Sequence, residues 1–512
     1  MDMARYLNKS SNGNFIVGDH TYSGTLTHSD SGSTLSIHVP GFVSELAGYE
    51  YQLPIFGTLF DFTAVTLLNT MITENQGYVK AIAGGSYDRS QQFSFALWYV
   101  IFSENPVDTR DYLFDALDFS IPNANDLFHS ESFNYISNAT ETVVKDLVRK
   151  DLEYLQLPGL LDNYQFGESP AIFLYTGASV LAELSLPFGN LKIRNNPSYS
   201  TPSNSGFALE NNISCHVDFA EPTDFWQATS KIEPIKQLLE LILGKPQSLK
   251  NFKLVTKDGD NIPSIFEVYR SVYNQPERSS AYVHASERLI HIEIELDEFQ
   301  AVLNEWLLRQ EEWKFSRKEF FSVLSDVKYS FDTLVKLSNL FDLIPSSAYS
   351  DTSIDLSDDL LAAKVACKSI FKALPHSVER ESMLNALGRL GNKSLKHKIK
   401  DRYKVIQDSG LIELDKIDLV INQCVDCRNF FVHGGKKNFD YSDQFDLMCF
   451  FIDTLMFIYG ISEMIECGWN RNNWTDDQLN SHPYSLYLVS YEFHLNILVE
   501  VLKPEQSRTY KT

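Results

Sequence analysis

The sequence predicts a multidomain protein of mixed α and β class, in which a β-rich N-terminal domain is followed by an all-α helical bundle. Three observations carry that expectation. Apolar and polar residues alternate through the first third of the chain, apolar residues recur three and four apart from about Glu233 onward, and charge divides unevenly between these regions. The 512 residues leave room for about two or three domains, each long enough to bury its own core. The expected boundaries are 1–225 for the β-rich domain, 226–310 for a helical connecting segment and 311–512 for the bundle.

In the first region Leu35, Ile37 and Val39 alternate with Ser36 and His38, and Phe93, Phe95, Leu97, Tyr99 and Ile101 keep the same two-residue period, which marks strands. Ser11-Asn12-Gly13, Ser31-Gly32-Ser33 and Ala83-Gly84-Gly85-Ser86 read as turns. A helix is expected at about Asn138–Leu155 and a strand at Ala171–Tyr175, followed by an exposed loop rich in Ser, Asn and Pro, Asn195–Ser205. The helical period then gives Leu296–Trp313, Ser316–Leu343, Asp358–Leu374, Val378–Leu390, Leu395–Asp408, Asp415–His433, Phe445–Cys467 and Tyr484–Leu502, with a Ser- and Asp-rich linker at Pro345–Asp358.

Composition excludes several classes. With 44 Lys and Arg against 67 Asp and Glu, a net −23, broad adhesion to nucleic acid or anionic lipid is not expected, and any polyanion must be met locally. Residues 1–230 hold 10 basic and 26 acidic side chains, whereas 380–437 hold 12 and 7, so the only local basic surface lies in the helical half. Its densest run is Lys393, Lys396, Lys398, Lys400, Arg402 and Lys404, with Lys436 and Lys437 further on. Such runs are most often solvated helix faces. The N-terminus lacks a signal or transit pattern, so the cytoplasm is the expected compartment. Met448–Ile461 is too short to span a bilayer and carries Asp453, so it reads as a core helix. The six cysteines read as buried thiols; Cys424-x2-Cys427 is a lone pair without the second pair that zinc would need, and no metal or cofactor is expected. Phosphate-binding loops, H-E-x-x-H pairs and G-x-S-x-G elbows are missing from the sequence. His397, His482 and His494 read as surface or satisfied core residues.

The informative string is Asp426-Cys427-Arg428-Asn429-Phe430-Phe431-Val432-His433-Gly434-Gly435-Lys436-Lys437, at the end of an amphipathic helix. On an ideal helix Ile417, Val420, Ile421, Cys424 and Phe431 share a core face, while Asn422, Asp426, Asn429 and His433 form a polar stripe opposite. Arg428 is the anomaly, because it falls on the apolar side, roughly 140° from His433. A guanidinium there needs a carboxylate, carbonyl or phosphate. Unwinding of the last turn at Gly434-Gly435, or a twofold dimer that brings two helix ends together, would let it meet His433. Asp426 lies too far along the axis to touch His433 and reads as a surface acid or a partner of Arg428.

Arg428-Asn429-x3-His433 late in an all-α region resembles the Arg-x4-His signature of HEPN domains, and Cys427–Gly434 is similar to the version found in the ApeA-like HEPN subfamily. The region of about 10–220 is similar to the N-terminal domain of ApeA proteins. The resemblance implies a metal-independent endoribonuclease of the toxin or abortive-infection type, acting against phage. Its site would form between two protomers, with Arg428, Asn429 and His433 as catalytic residues. RNA, tRNA among the candidates, would be the substrate and would be held by Lys436, Lys437, Lys396, Lys398, Lys400 and Arg402. The protein would be a homodimer or higher oligomer with a phage-derived trigger and no membrane partner, and the β-rich domain would sense or restrain. The chemistry suits the residues. Histidine exchanges protons with a 2′-hydroxyl and a 5′-oxygen, and arginine stabilises charge on the phosphorane; the expected ends are a cyclic 2′,3′-phosphate and a 5′-hydroxyl. The alternatives are a non-catalytic HEPN module that binds RNA or protein beside a ligand-sensing β-rich domain, and a structural dimerisation bundle in which Arg428 only pairs with a carboxylate.

Overall fold

A computed structural model gives the chain in two compact units, one made of Met1–Lys236 with Gln247–Val283 and the other of Gln237–Pro246 with His284–Thr512. The residues described are 6–29, 32–41, 53–81, 87–110, 113–128, 133–136, 139–157, 160, 164–165, 167–168, 170, 172–203, 206–257, 263–271, 282–284, 287–325, 328–349, 356–434, 437–470 and 481–503.

The first unit begins with β1 (Lys9–Val17), β2 (His20–Ser29), β3 (Gly32–Pro40), β4 (Ile55–Leu59), β5 (Ala64–Ala81) and β6 (Tyr87–Ser103). They pair antiparallel in the order β6-β3-β2-β1-β4-β5, and β5 pairs with β6 again, so the six close into a barrel. Closure pairs each of these strands on both sides, although β5 beyond Leu67 pairs with β6 alone among the described residues. The inward residues are those the two-residue period selected: Leu35, Ile37, Val39, Phe93, Phe95 and Leu97 are all buried, with Phe15, Val17, Leu26, Val65 and Leu67. Burial of each such side chain contributes roughly 1.5–3 kcal/mol. Ser11-Asn12-Gly13, expected as a turn, lies inside β1. Gly13 serves a close approach there, since a Cβ would stand 2.6 Å from the Thr58 carbonyl oxygen. The expected turn at 83–86 lies outside the described residues.

The sheet continues beyond the barrel. β7 (Phe114–Ser120), α1 (Ala124–Leu127), β8 (Phe133–Ile136), α2 (Glu141–Tyr154), β9 (Ile172–Tyr175), β10 (Ser179–Leu186), β11 (Gly189–Asn195), β12 (Ser198–Ser203), β13 (Gly206–Glu210) and β14 (Ile213–Thr223) lead to α3 (Phe225–Leu243), β15 (Lys250–Thr256) and β16 (Ser264–Arg270). The order β10-β11-β14-β7-β15-β16 joins the barrel at β6, twelve strands in all among the described residues. Helix α2 starts on Thr140, whose side chain accepts from the Val143 amide, a cap typically worth ~1 kcal/mol. Two expectations are corrected. Segment 226–310 is not a helical connection throughout: β15 and β16 lie in it, with Phe252, Leu254, Phe266 and Val268 buried at period two. Asn195–Ser205 is not all loop, because Ser198–Ser203 forms β12 and pairs with β13.

The second unit holds α4 (Leu296–Leu308), α5 (Gln310–Ser325), α6 (Phe331–Leu343), a 3-10 turn (Ser346–Ala348), α7 (Asp358–Ala373), α8 (Val378–Arg389), α9 (Leu395–Asp408), α10 (Ile417–His433), α11 (Phe445–Glu466) and α12 (Pro483–Leu502). The two expected helices across 296–343 are three, because the chain breaks at Arg309 and restarts α6 on Ser330, whose Oγ accepts from the Thr333 amide. Helix α11 is the axis of the bundle and is buried along nearly its whole length. It is the one described helix long and apolar enough to cross a membrane, and 78% of its most apolar window is covered by the fold. Gly460 lets α12 approach, since a Cβ would clash with the Tyr484 hydroxyl at 1.9 Å. The charges that α11 buries are paired. Glu463 meets Arg317 at 2.7 Å with both side chains fully buried, and Arg317 also lies over the Trp306 ring. Unlike the rest of the bundle, α7 and α8 bury no residue. Cys367 and Cys449 are half-buried; the other cysteines are buried as expected.

Candidate active site at the end of α10

Helix α10 is amphipathic as its spacing requires: Ile417, Val420, Ile421, Cys424 and Cys427 are buried, while Asn422, Asp426 and Asn429 are half-buried and His433 is exposed. The helix stays regular through His433. Gly434 then takes φ 72°, a left-handed conformation that suits glycine, and donates its amide to the Phe430 carbonyl at 2.9 Å. Aromatic packing fixes this last turn. Phe431, half-buried where full burial was expected, stacks on Phe331 of α6 with centroids 3.7 Å apart, and Phe430 meets Phe431 edge-on and Tyr441 at 5.4 Å.

Arg428 meets His433 in one protomer. Its Nη1 donates to Nε2 of His433 at 3.2 Å and to Oδ1 of Asn429 at 3.0 Å, and its Nη2 donates to Oδ1 of Asn339 at 2.7 Å. Neither unwinding nor a second copy is needed, because the long guanidinium arm spans the turn and a half between residues 428 and 433. Arginine has no acceptor, so Nε2 of His433 is the unprotonated nitrogen in this hydrogen bond. All three partners are neutral, and among the described residues Arg428 meets no carboxylate. Its Nε is buried without a partner. The guanidinium charge is therefore held in place without being neutralised. Asn429 thus holds Arg428.

Asn339 was not anticipated. It stands 89 residues away on α6, and a single Asn within an apolar-patterned helix gives no sequence signal for its tertiary partner. Asp426 binds neither Arg428 nor His433; it pairs with Lys396 at 2.6 Å and lies 3.4 Å from Asn438 Nδ2.

The basic run is mostly spent internally. Lys398 pairs with Asp342 at 2.9 Å, Lys400 with Asp418 at 3.2 Å and Lys393 with Asp401 at 2.6 Å. Arg402, expected at an RNA surface, is fully buried and donates to Glu466 at 2.6 Å and to Ser462 Oγ at 3.1 Å. That expectation fails because α9 turns Arg402 inward, onto the acids of α11. Lys404 is exposed, Lys437 is exposed and pairs with Asp440, and Lys436 lies outside the described residues. Cys424 and Cys427 are inert thiols: burial pushes Cys427 up to about 12 and Cys424 well above its ordinary value. His397 bonds to Ser394, and His494 to the Ser490 carbonyl while it stacks on the Phe450 ring.

Two family models match the chain, ApeA N-terminal domain 1 over residues 10–306 and Apea-like HEPN over residues 335–473. The first alone spans more than half of the sequence. The chain belongs to the ApeA-like HEPN family. The HEPN match contains Asn339, Arg428, Asn429 and His433 and ends just after α11. Membership places the protein, at the level of the family, among HEPN nucleases of anti-phage defence. No curated protein and no solved structure matches the chain.

Proposed function

We propose that the protein is a metal-independent endoribonuclease, a toxin-type effector of abortive infection that cleaves RNA at the end of α10 as a cytoplasmic homodimer, with tRNA among its candidate substrates. One observation carries this reading: among the described residues Arg428 is fixed beside His433 by neutral groups alone, which leaves a positioned cation and an unprotonated imidazole nitrogen side by side. A substrate 2′-hydroxyl takes the place of Nη1 as donor to Nε2; as its oxygen bonds to phosphorus His433 accepts its proton, and the P–O5′ bond breaks with a protonated imidazole returning a proton to the leaving 5′-oxygen. Arg428, freed from the imidazole, turns its fork to the phosphate and stabilises the charge that develops. Proton transfer of this kind is typically worth about 10²–10⁴-fold in rate. Asn429 and Asn339 are the positioning residues, and Lys437 and Lys404 supply exposed charge for the backbone. The reading of the bundle as a structural element built on an Arg428–carboxylate pair loses its support, since the residue has no such partner among the described residues.

The test compares His433→Ala with wild type on a labelled RNA. Loss of cleavage by at least 100-fold with RNA binding retained, and cyclic 2′,3′-phosphate ends in the wild-type products, is the expected outcome. Binding with no cleavage by wild type would favour the non-catalytic module, and 3′-hydroxyl ends would contradict the mechanism.

A further inference from the structure

The first unit contains a cavity of about 470 Å³ whose lining shares no residue with the candidate active site, a size suited to a small organic ligand. It lies on the outward face of the sheet where β11, β14, β7 and β15 run side by side. Arg194 pairs with Ser214 across β11 and β14, and Ser120 pairs with Lys250 across β7 and β15. The four side chains thus form a row in which two cations flank two hydroxyls, with three strand spacings, roughly 14 Å, between the outer strands.

The charges of this row are the informative feature. The unit is strongly acidic, and neighbouring cations find acids: Lys192 and Lys257 both reach Asp218, at 3.3 and 2.8 Å, and Lys253 reaches Glu267 at 3.5 Å. Arg194 and Lys250, which line the cavity, have no acid partner among the described residues. Between them the lining offers hydroxyl-recognising groups. Asp118 accepts from His216 Nδ1 at 2.8 Å and keeps further acceptor capacity, and Asn251, at φ 50°, donates its side-chain amide to Ser120 at 3.2 Å. No aromatic ring lines the cavity, so nothing in it recognises a flat base by stacking.

We propose that this cavity is a binding site for a ribose phosphate, whose anionic group is taken by Arg194 and Lys250 and whose hydroxyls are taken by Asp118, Ser120 and Asn251. The ligand is either a free sugar phosphate or the ribose phosphate of a nucleotide. The proposal is independent of the nuclease reading.

Calorimetric titration of the full chain with ribose 5-phosphate, AMP, ribose, adenosine and inorganic phosphate tests it. Ribose 5-phosphate or AMP, or both, bind, and which of them binds identifies the source; ribose and adenosine bind far more weakly. Arg194→Ala and Lys250→Ala each weaken binding by roughly 10- to 100-fold, the worth of a charged hydrogen bond, while Lys257→Ala, which only removes an exposed surface cation from Asp218, leaves it unchanged. No binding by any probe, equal binding of adenosine and AMP, inorganic phosphate binding as tightly as ribose 5-phosphate, or affinity indifferent to both cavity variants would overturn the assignment.

Discussion

Arg428 is held by Asn339, Asn429 and His433 and, among the described residues, by no acid, and this composition is what the proposed catalytic role of the arginine uses. Removing Asn339 frees Nη2 and loses one charge-assisted hydrogen bond, so Asn339→Ala is expected to cut cleavage by roughly 10-fold or more. Asn339→Asp keeps an acceptor at the same place but neutralises the guanidinium. If Arg428 meets phosphate, Asp fails to restore cleavage although it restores stability; recovery of full activity by Asp would show that only geometry matters. Arg402 makes the opposite case. Buried against Glu466, it is expected on replacement by Ala to cost about 3 kcal/mol of stability in urea unfolding, and an RNA affinity lowered with stability intact would contradict its internal role. Sequence spacing pointed to the oddity of Arg428 and to His433, but it treated the helix as a rigid wheel. The five-residue reach of a flexible guanidinium lies outside that picture, as does the partner on α6.

At the scale of elements, helix α10 was legible because Ile417, Val420, Ile421 and Cys424 recur on one face and Gly434 closes it. Strands β3 and β6 were legible because their inward residues are large and regularly spaced. Strands β15 and β16 were not, since Lys250–Thr256 and Ser264–Arg270 are short and carry charges on the outer face, and they acquire strand character by pairing with β7 and β6. The start of α12 brings a testable pH dependence. His482 accepts from the Tyr484 amide through Nδ1 and lies 3.3 Å from the Leu241 carbonyl through Nε2, and burial lowers its pKa from 6.5 to about 4. The unfolded chain therefore takes up a proton near pH 6.5 that the fold refuses until about pH 4. This contribution is complete above pH 6.5 and is lost as pH falls, by about 3 kcal/mol in all. Between pH 7 and pH 5, wild type is expected to lose about 2 kcal/mol more stability than His482→Gln in urea unfolding; parallel losses would contradict the account.

At the scale of the whole molecule, a chain of net −23 that acts on RNA as proposed meets it through a small surface. The sequence suggested that the Lys393–Lys404 run supplies it; in the fold Lys396, Lys398 and Lys400 pair with Asp426, Asp342 and Asp418, acids from other segments that spacing along the chain does not reveal. Among the described residues around the site, exposed Lys404 and Lys437 with the site arginine give about three phosphate contacts, so the affinity of His433→Ala protein for single-stranded RNA should fall with log salt at a slope of about −2. A slope steeper than about −4 would show that the paired lysines open to bind RNA.

The most direct test incubates the purified protein and its His433→Ala variant with total cellular RNA, with and without EDTA, and maps the product ends. The account predicts EDTA-resistant cleavage that leaves cyclic 2′,3′-phosphates and disappears in the variant. Cleavage that persists in His433→Ala, or that EDTA abolishes, would contradict it.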